Sequence, residues 1–465
     1  MTPSAQDGPR PAGTRRLTIN SVIRKYQIEA TRDRWLWEDE TELHSADLVL
    51  ALSEQVRAAL PGARVTWGFS WCALTEESPR YAAIRRTVAE LCAAYGDEVT
   101  FVPGGYFANR YAGREQVAAD IADALGLLGE HFDRPVRSLL AGFLSAANIE
   151  RAGALGLRTV QGHAWSQYSV DMQDCDGSIS YPYYPSRRHF LAPGRGADRL
   201  DVVNLDGWTV DLLAARHVPG RPGAPGAAGG EGAVSSRMGT GPIETLHRMP
   251  LDLALRALRA TSAAHLGERN VARNGLGWLT TNYEIAEVAR GLAVDPGVLR
   301  AFGSWLRWLG ETWPDLGCPT MAEFGEEHRA RHQDNEGLRY LLQQEGSGIG
   351  ASAAGERVTW FMTGGYRLGV ADTVRPGSAR AARRAAAGPV VFDHTGYRLP
   401  PAEPQGLDER NWSLLGELNQ KRTRPQDTPV PLGPFLDARP ALAGDLTTRY
   451  ADSPELAELL KAARA

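Results

Sequence analysis

The chain is short of cysteine and of lysine, and each shortage narrows its chemistry. Cys72, Cys92, Cys175 and Cys318 lie far apart among 465 residues, and no C-x-x-C pair occurs. This excludes a Cys-rich zinc site and a disulfide framework, and fits unpaired thiols in a reducing compartment. Lys25, Lys421 and Lys461 are the only lysines, the remaining basic residues being arginine. Schiff-base chemistry, pyridoxal phosphate included, therefore has few candidates, and only Lys25 falls near an expected core strand. The phosphate loop G-x-x-x-x-G-K-[ST], the zinc helix H-E-x-x-H and the nucleophile elbow G-x-S-x-G are all missing. No apolar run approaches the ~20 residues of a membrane helix, and Met1 to Arg16 holds no apolar signal core. The expectation is a cytoplasmic protein that engages no membrane. With 51 Lys+Arg against 55 Asp+Glu, it also lacks the broad positive footprint of a nucleic-acid binder.

What is present is an ordinary globular composition, 43% hydrophobic and 23% charged. The length suits two to three domains of ~150 residues, or one barrel with an appendage. Residues 1–15 read as a flexible Pro/Gly-rich tail. Strand and helix patterns then alternate. Leu17, Ile19 and Ser21 alternate with Thr18, Asn20 and Val22, and Val65, Trp67 and Phe69 share one face of a second strand. Further strands are expected at 98–102, 136–143, 157–161, 201–205 and 275–281. Helices fill the gaps, with caps at Ser45 and Ser145. A Gly/Pro-rich linker covers 219–232. Seven βα units imply a parallel sheet covered by helices, and their number favours closure into a barrel. From about residue 355 the pattern changes to short extended runs broken by Pro and Gly, which point to a small β-rich domain, taken as 346–465, ending in a helix from Pro454.

The stretch Glu98 to Trp165, with EVTFVPGGYFANRY, RPVRSLLAGFLSAANIERAGALGLRTV and QGHAWS, resembles a polysaccharide deacetylase core. Segments such as CDGSISYPYYPSRRHF (175–190), VVNLDGWTVD (202–211) and NWSLLGELNQKRTRPQDTPVPL (411–432) resemble a bacterial family of the glycoside hydrolase/deacetylase barrel superfamily. The resemblance implies an α/β fold: a (β/α)7-type deacetylase-like barrel over 16–345 and a C-terminal β-rich accessory domain over 346–465. It also implies a hydrolase acting on carbohydrate. The metal motifs of such deacetylases are not matched. Glu29 is the only acid where an Asp-Asp pair is expected, and Gly105 to Asn109 holds no histidine.

In such a barrel the site is built from the C-terminal ends of the strands. That rule gathers Gln27, Glu29, Trp71, Tyr106, Asn109, Asn148, His163, Trp165, Gln167, Asp206, Trp208, Asp211, Asn282 and Glu284 at one mouth. Glycosidases use two carboxyl groups, and Glu29, Asp206 and Glu284 can supply a pair. The leading expectation is Glu29 and Asp206 as catalytic groups with His163 assisting. Gln27, Trp71, Tyr106, Asn109, Trp165, Gln167, Trp208, Asn282 and Glu284 would then bind a glycan or small-molecule substrate. No cofactor motif is present, but His163, Asp206 and Glu29 are donor types for a divalent Zn, Mn or Fe ion. A metal-dependent deacetylase or amidohydrolase with its own ligand set, and a non-catalytic glycan-binding barrel, are the alternatives. Asp171 to Asp176 reads as a solvated acidic turn. Glu323, Glu327, His328 and His332 lie on a helix whose start can stand at the mouth.

Overall fold

The computed structural model describes residues 13–161, 175–208, 211–214, 241–350, 352–374, 388–409, 411–420, 424 and 426–464. Seven parallel strands form the first sheet: β1 (Thr14–Ile23), β4 (Val65–Phe69), β5 (Glu98–Phe101), β6 (Ser138–Leu140), β7 (Thr159–Gln161), β8 (Val203–Asn204) and β9 (Leu276–Glu284). Their order is β9-β1-β4-β5-β6-β7-β8, with a short β10 (Leu316–Gly317) beside the start of β1. All seven expected strands are there. Between β1 and β4 lies an antiparallel hairpin, β2 (Tyr26–Thr31) and β3 (Arg34–Asp39), where the sequence reads as a continuation of the first strand.

Neighbouring residues in a parallel register share a face, so the pairings sort the sheet into two sides. Thr18, Asn20 and Val22 lie beside Thr280, Asn282 and Glu284 of β9, and Asn20 beside Thr66 of β4. The same side continues through Gly68 and Thr100, then Leu140 and Gln161, then Thr159 and Val203. Gln161 on β7 bonds Asn20 on β1 at 2.7 Å although three strands separate them, so this side is the barrel's lumen. Ile19, Trp67, Phe69 and Phe101 face the helices instead.

The seam between β8 and β9 closes by packing. A Cβ on Gly207 would stand 2.2 Å from Cγ2 of Thr280, so only glycine permits this approach. The N-terminal ends of the strands are plugged by the helix Met321–Arg331, which starts in a capping box at Thr320. Glu98 accepts from the Ala322 N–H at 3.1 Å, Thr66 accepts from the Met321 N–H at 3.0 Å, and Phe324 packs on Trp278. Glu323 therefore stands at the closed end, not at the mouth. His328 and His332 stack on each other there, and burial pushes the His328 imidazole down to about 3.

The second sheet is antiparallel: β11 (Arg339–Glu345), β12 (Glu356–Thr363), β13 (Tyr366–Thr373), β14 (Val390–Gly396), β15 (Leu418–Asn419) and β16 (Val430–Pro431). Its first strand precedes residue 346. Alternation along the strands sends Val358, Trp360 and Met362 toward the barrel, and Phe361, Leu368 and Val370 toward the C-terminal helices. Segment 175–208 is wedged between the two units. Asp176 is buried there against Arg367 rather than solvated, and Tyr181 stacks on Tyr340 with centroids 4.3 Å apart.

Glu403 ties the same units together. Its carboxylate accepts from the N–H groups of Ala146 (2.9 Å) and Phe190 (2.8 Å). Burial pushes this carboxyl up to about 7 from its ordinary 4.5, against the pull of those bonds. The folded chain thus holds a proton that the unfolded chain has lost between those two values. Its contribution to stability is greatest below the unfolded value and falls as pH rises to about 7. Glu403→Gln is expected to remove that fall, about 3 kcal/mol by the size of the shift. Urea unfolding of both proteins at pH 5 and pH 8 checks it; equal pH slopes would contradict the assignment.

Candidate functional site

The mouth lies at the C-terminal ends of the strands, opposite the helical plug. At mid-height of the lumen, Asn20 Nδ2 donates to Oε1 of Gln161 (2.7 Å) and Oδ1 of Asn282 (2.8 Å), with Thr280 Oγ1 at 3.2 Å. Asn20 is fully buried, and its Oδ1 has no hydrogen-bond partner among the described residues. A buried acceptor left open is costly and calls for a donor from water or ligand. Above this layer stands Glu284, two residues beyond Asn282 and on the same face of β9. Its side chain is about one-third exposed and accepts from Arg24 Nη2 at 2.5 Å.

Arg24 directly follows β1 and is itself fixed. Glu40 takes its guanidinium in a forked bond, at 2.7 and 3.2 Å, and Arg290 also donates to Glu40 at 2.8 Å. Burial opposes ionisation of Glu40, yet the two arginines outweigh it and hold the carboxyl below its ordinary value. His44, buried beneath this pair, is pushed down to about 4 by burial and stays neutral. The result is a rigid positive group aimed at Glu284 from one side of the mouth.

The residues expected from sequence are placed differently. Glu29 is buried in the hairpin, where it accepts from the Ser70 hydroxyl (2.7 Å) and from the N–H groups of Lys25 (3.0 Å), Tyr26 (3.3 Å) and Cys72 (2.9 Å). It pins the hairpin to the turn after β4. Glu29→Gln, which presents an amide to these donors, is expected to cost about 2 kcal/mol. Hydrogen exchange at the Lys25, Tyr26 and Cys72 amides checks it, since unchanged protection would contradict the pinning role.

Asp206 follows β8 on the side away from the lumen, because Gly207 next to it faces Thr280. It accepts from the Tyr183 hydroxyl at 2.7 Å and from Asn204 at 3.3 Å, both on that outer side. Burial first, and then the Asp206 charge, keep the Tyr183 phenol protonated. The described partners of Glu29 and of Asp206 do not overlap. Trp208 is likewise outside the lumen, edge-on to Trp360 at 4.9 Å.

Asn109 and Asn148 serve the turns, Asn109 accepting from Ser145 N–H at 2.8 Å and Asn148 donating to the Arg114 carbonyl at 2.8 Å. Asp211 accepts from the N–H groups of Leu213 and Ala214. Trp71 lies under Arg32, whose guanidinium is 3.9 Å from the ring centre. Gln27 is half-buried in the hairpin, and the Tyr106 ring lies against Gly142 at the rim. His163, Trp165 and Gln167 lie outside the described residues.

Sequence reasoning missed Asn20, Gln161 and Arg24. The signal for Asn20 was available: in a strand buried on both sides, the polar set Thr18 and Asn20 must face a shared interior. The described lumen does not fit a transition-metal site. At mid-height its donors, Asn20, Gln161, Asn282 and Thr280, are carboxamides and a hydroxyl, poor ligands for Zn, Mn or Fe, and the Glu284 carboxylate at the open end is engaged by Arg24. Among the described residues no group of three His, Cys, Asp or Glu is placed to hold a metal ion. Nor is any described helix long and apolar enough to cross a membrane.

Comparison with known proteins adds the family. Residues 9–362 match DUF3863 and residues 380–456 match DUF3864, each described as a domain of unknown function with a solved structure. A protein from Parabacteroides distasonis, classed provisionally as a glycoside hydrolase/deacetylase, is 33% identical. The match covers 96% of this chain and 100% of that one, with a TM-score of 0.83. A Mycobacterium smegmatis protein classed provisionally as a polysaccharide deacetylase is 13% identical over 71% of this chain and 95% of its own, at a TM-score of 0.40. One from Pseudomonas aeruginosa, classed likewise, is 10% identical over 70% and 96%, at 0.43. A search of the curated proteins found no match. The chain belongs to the DUF3863 family, whose model spans the deacetylase-type barrel and the start of the second sheet, with residues 380–456 of the C-terminal unit matching DUF3864.

Proposed function

We propose that the chain is a carbohydrate-active hydrolase that takes a glycan or sugar-like small molecule into the barrel mouth. The observation that carries this reading is the polar ladder on the lumen face: Thr280, Asn282 and Glu284 rising along β9, with Asn20 beside them on β1 and Gln161 opposite. Carboxamides both donate and accept, as sugar hydroxyls do, and Asn20 Oδ1 has no donor among the described residues. Glu284 is the carboxylate that the strands carry on this face at the open end. Held by Arg24, it suits a base or nucleophile. Cleavage of a glycosidic bond also needs a proton donor for the leaving oxygen. His163, two residues after Gln161, is proposed for that role on chain order alone. Glu29 and Asp206 are assigned to anchoring the hairpin and the interdomain wedge.

The test is hydrolysis of a panel of aryl glycosides and N-acetylated chito-oligosaccharides, with and without chelator. Release of aryl alcohol or shortened sugar, unaffected by chelation, is the expected result. Acetate release abolished by chelation would replace this reading with the metal-dependent deacetylase. Sugar binding without turnover would replace it with the glycan-binding barrel.

A further inference from the structure

The hairpin β2–β3 starts directly after β1 and stands on the mouth's rim. It rests on the Pro103–Tyr106 turn after β5, where a Cβ on Gly105 would lie 3.1 Å from the Glu29 nitrogen. Glu29 fastens it to the turn after β4. On this anchored arm two tryptophans face solvent, Trp35 at 44% and Trp37 at 76% exposure. Trp35 is held in place: one ring face stacks on Tyr26 at 4.8 Å, and its Nε1–H donates to Cys72 Sγ at 3.1 Å.

Trp37 sits in a bulge. Tyr26 pairs with Asp39 and Ile28 with Leu36, so Gln27 alone opposes Trp37 and Glu38. Its φ of 74° is the conformation for which such bulges take glycine. The position thus combines backbone strain with exposure of the largest apolar side chain, and neither gains any packing. Strain of this kind, at a bulge that re-aims a side chain beside a mouth, points to use by a ligand. The exposed charges around it, Asp33, Arg34, Glu38 and Asp39, are mixed and mostly acidic, which disfavours an anionic partner.

We propose that Trp35 and Trp37 are a stacking platform for a neutral glycan chain that extends out of the mouth. The substrate is then an oligo- or polysaccharide rather than a single sugar. This rests on the function proposed above. Pyranose rings present flat C–H faces, and rigid indoles receive them at little entropic cost.

The test is calorimetric titration of the full chain with glucose, N-acetylglucosamine and their β-1,4-linked hexamers. The hexamer that binds is expected to do so at least about tenfold tighter than its monomer, and Trp37→Ala to remove about tenfold of that advantage. Trp37→Asn should lose the same advantage with an equal or higher Tm, since asparagine tolerates positive φ. Equal affinity for monomer and hexamer, or full hexamer affinity in both Trp37 variants, would overturn the platform and leave the mouth reading standing. A wild-type dimer that Trp37→Ala turns into monomer would also overturn it, as a contact between copies. Failure of the wild type to bind any of these sugars would count against the proposed function and the platform together.

Discussion

Glu284→Gln is expected to lower kcat on the substrate found by about 10²- to 10⁴-fold, the usual worth of a positioned acid/base group. Folding should survive. The side chain is partly exposed, and Arg24 keeps its forked bond to Glu40 when the charge on Glu284 is removed. The stability cost is therefore that of an ion pair with one buried and one partly exposed partner, about 1–2 kcal/mol. Asp206→Asn tested beside it separates the two carboxylates. An asparagine there can still accept from Tyr183, so turnover is expected to stay within about tenfold of wild type, a loss of no more than ~1.4 kcal/mol. The reverse result, an inactive Asp206→Asn and an active Glu284→Gln, would move the reaction centre to the outer side of β8.

Arg367→Met is expected to give the largest loss of stability, about 3–5 kcal/mol, the cost of leaving a buried charge without its partner. Arg367 is fully buried against the indoles of Trp208 and Trp360. It donates twice to Asp393, at 3.0 Å each, and once each to Asp176 Oδ1 (2.9 Å) and the Ser178 carbonyl (3.0 Å). Asn419 completes the cluster by donating to both aspartates. Burial opposes the guanidinium charge, but the two carboxylates raise its pKa in spite of that. Removing the arginine strands two carboxylates at the junction of barrel, wedge and second sheet. Denaturant midpoints check it. A loss below about 1 kcal/mol would mean that the cluster does not hold the junction.

The seven strands were legible because each is a short run buried on both faces and bounded by turn residues, as with Val65 to Phe69 before Ser70. The hairpin was not. Tyr26 and Ile28 extend the alternation of β1, and the turn at Arg32–Asp33 lacks the glycine or proline that would announce it. The helical stretches 242–266 and 285–312 are each divided, at Met249–Pro250 and at Asp295–Gly297, since proline breaks the hydrogen-bond ladder.

The site was legible only as a set of strand ends. Which side of the strand a residue takes depends on register, and β8 is two residues long, so Asp206 could not be assigned a face from its own neighbourhood. Asp176 was read as solvated because the arginine that neutralises it is 191 positions away. Asn282 and Glu284 stand at the C-terminal end of β9, as their place after the strand implies. Their partners Asn20 and Arg24 carry no such signal, since one lies inside β1 and the other reads as one of many arginines.

The most direct test of the lumen as the site is a crystal structure of the Glu284→Gln protein with a bound hexasaccharide. A sugar hydroxyl bonded to Glu284, the partly exposed top of the ladder, with the chain leaving past the β2–β3 hairpin, is the predicted result. A sugar seated instead in the wedge against Asp206 and Tyr183, with the lumen holding only water, would contradict it.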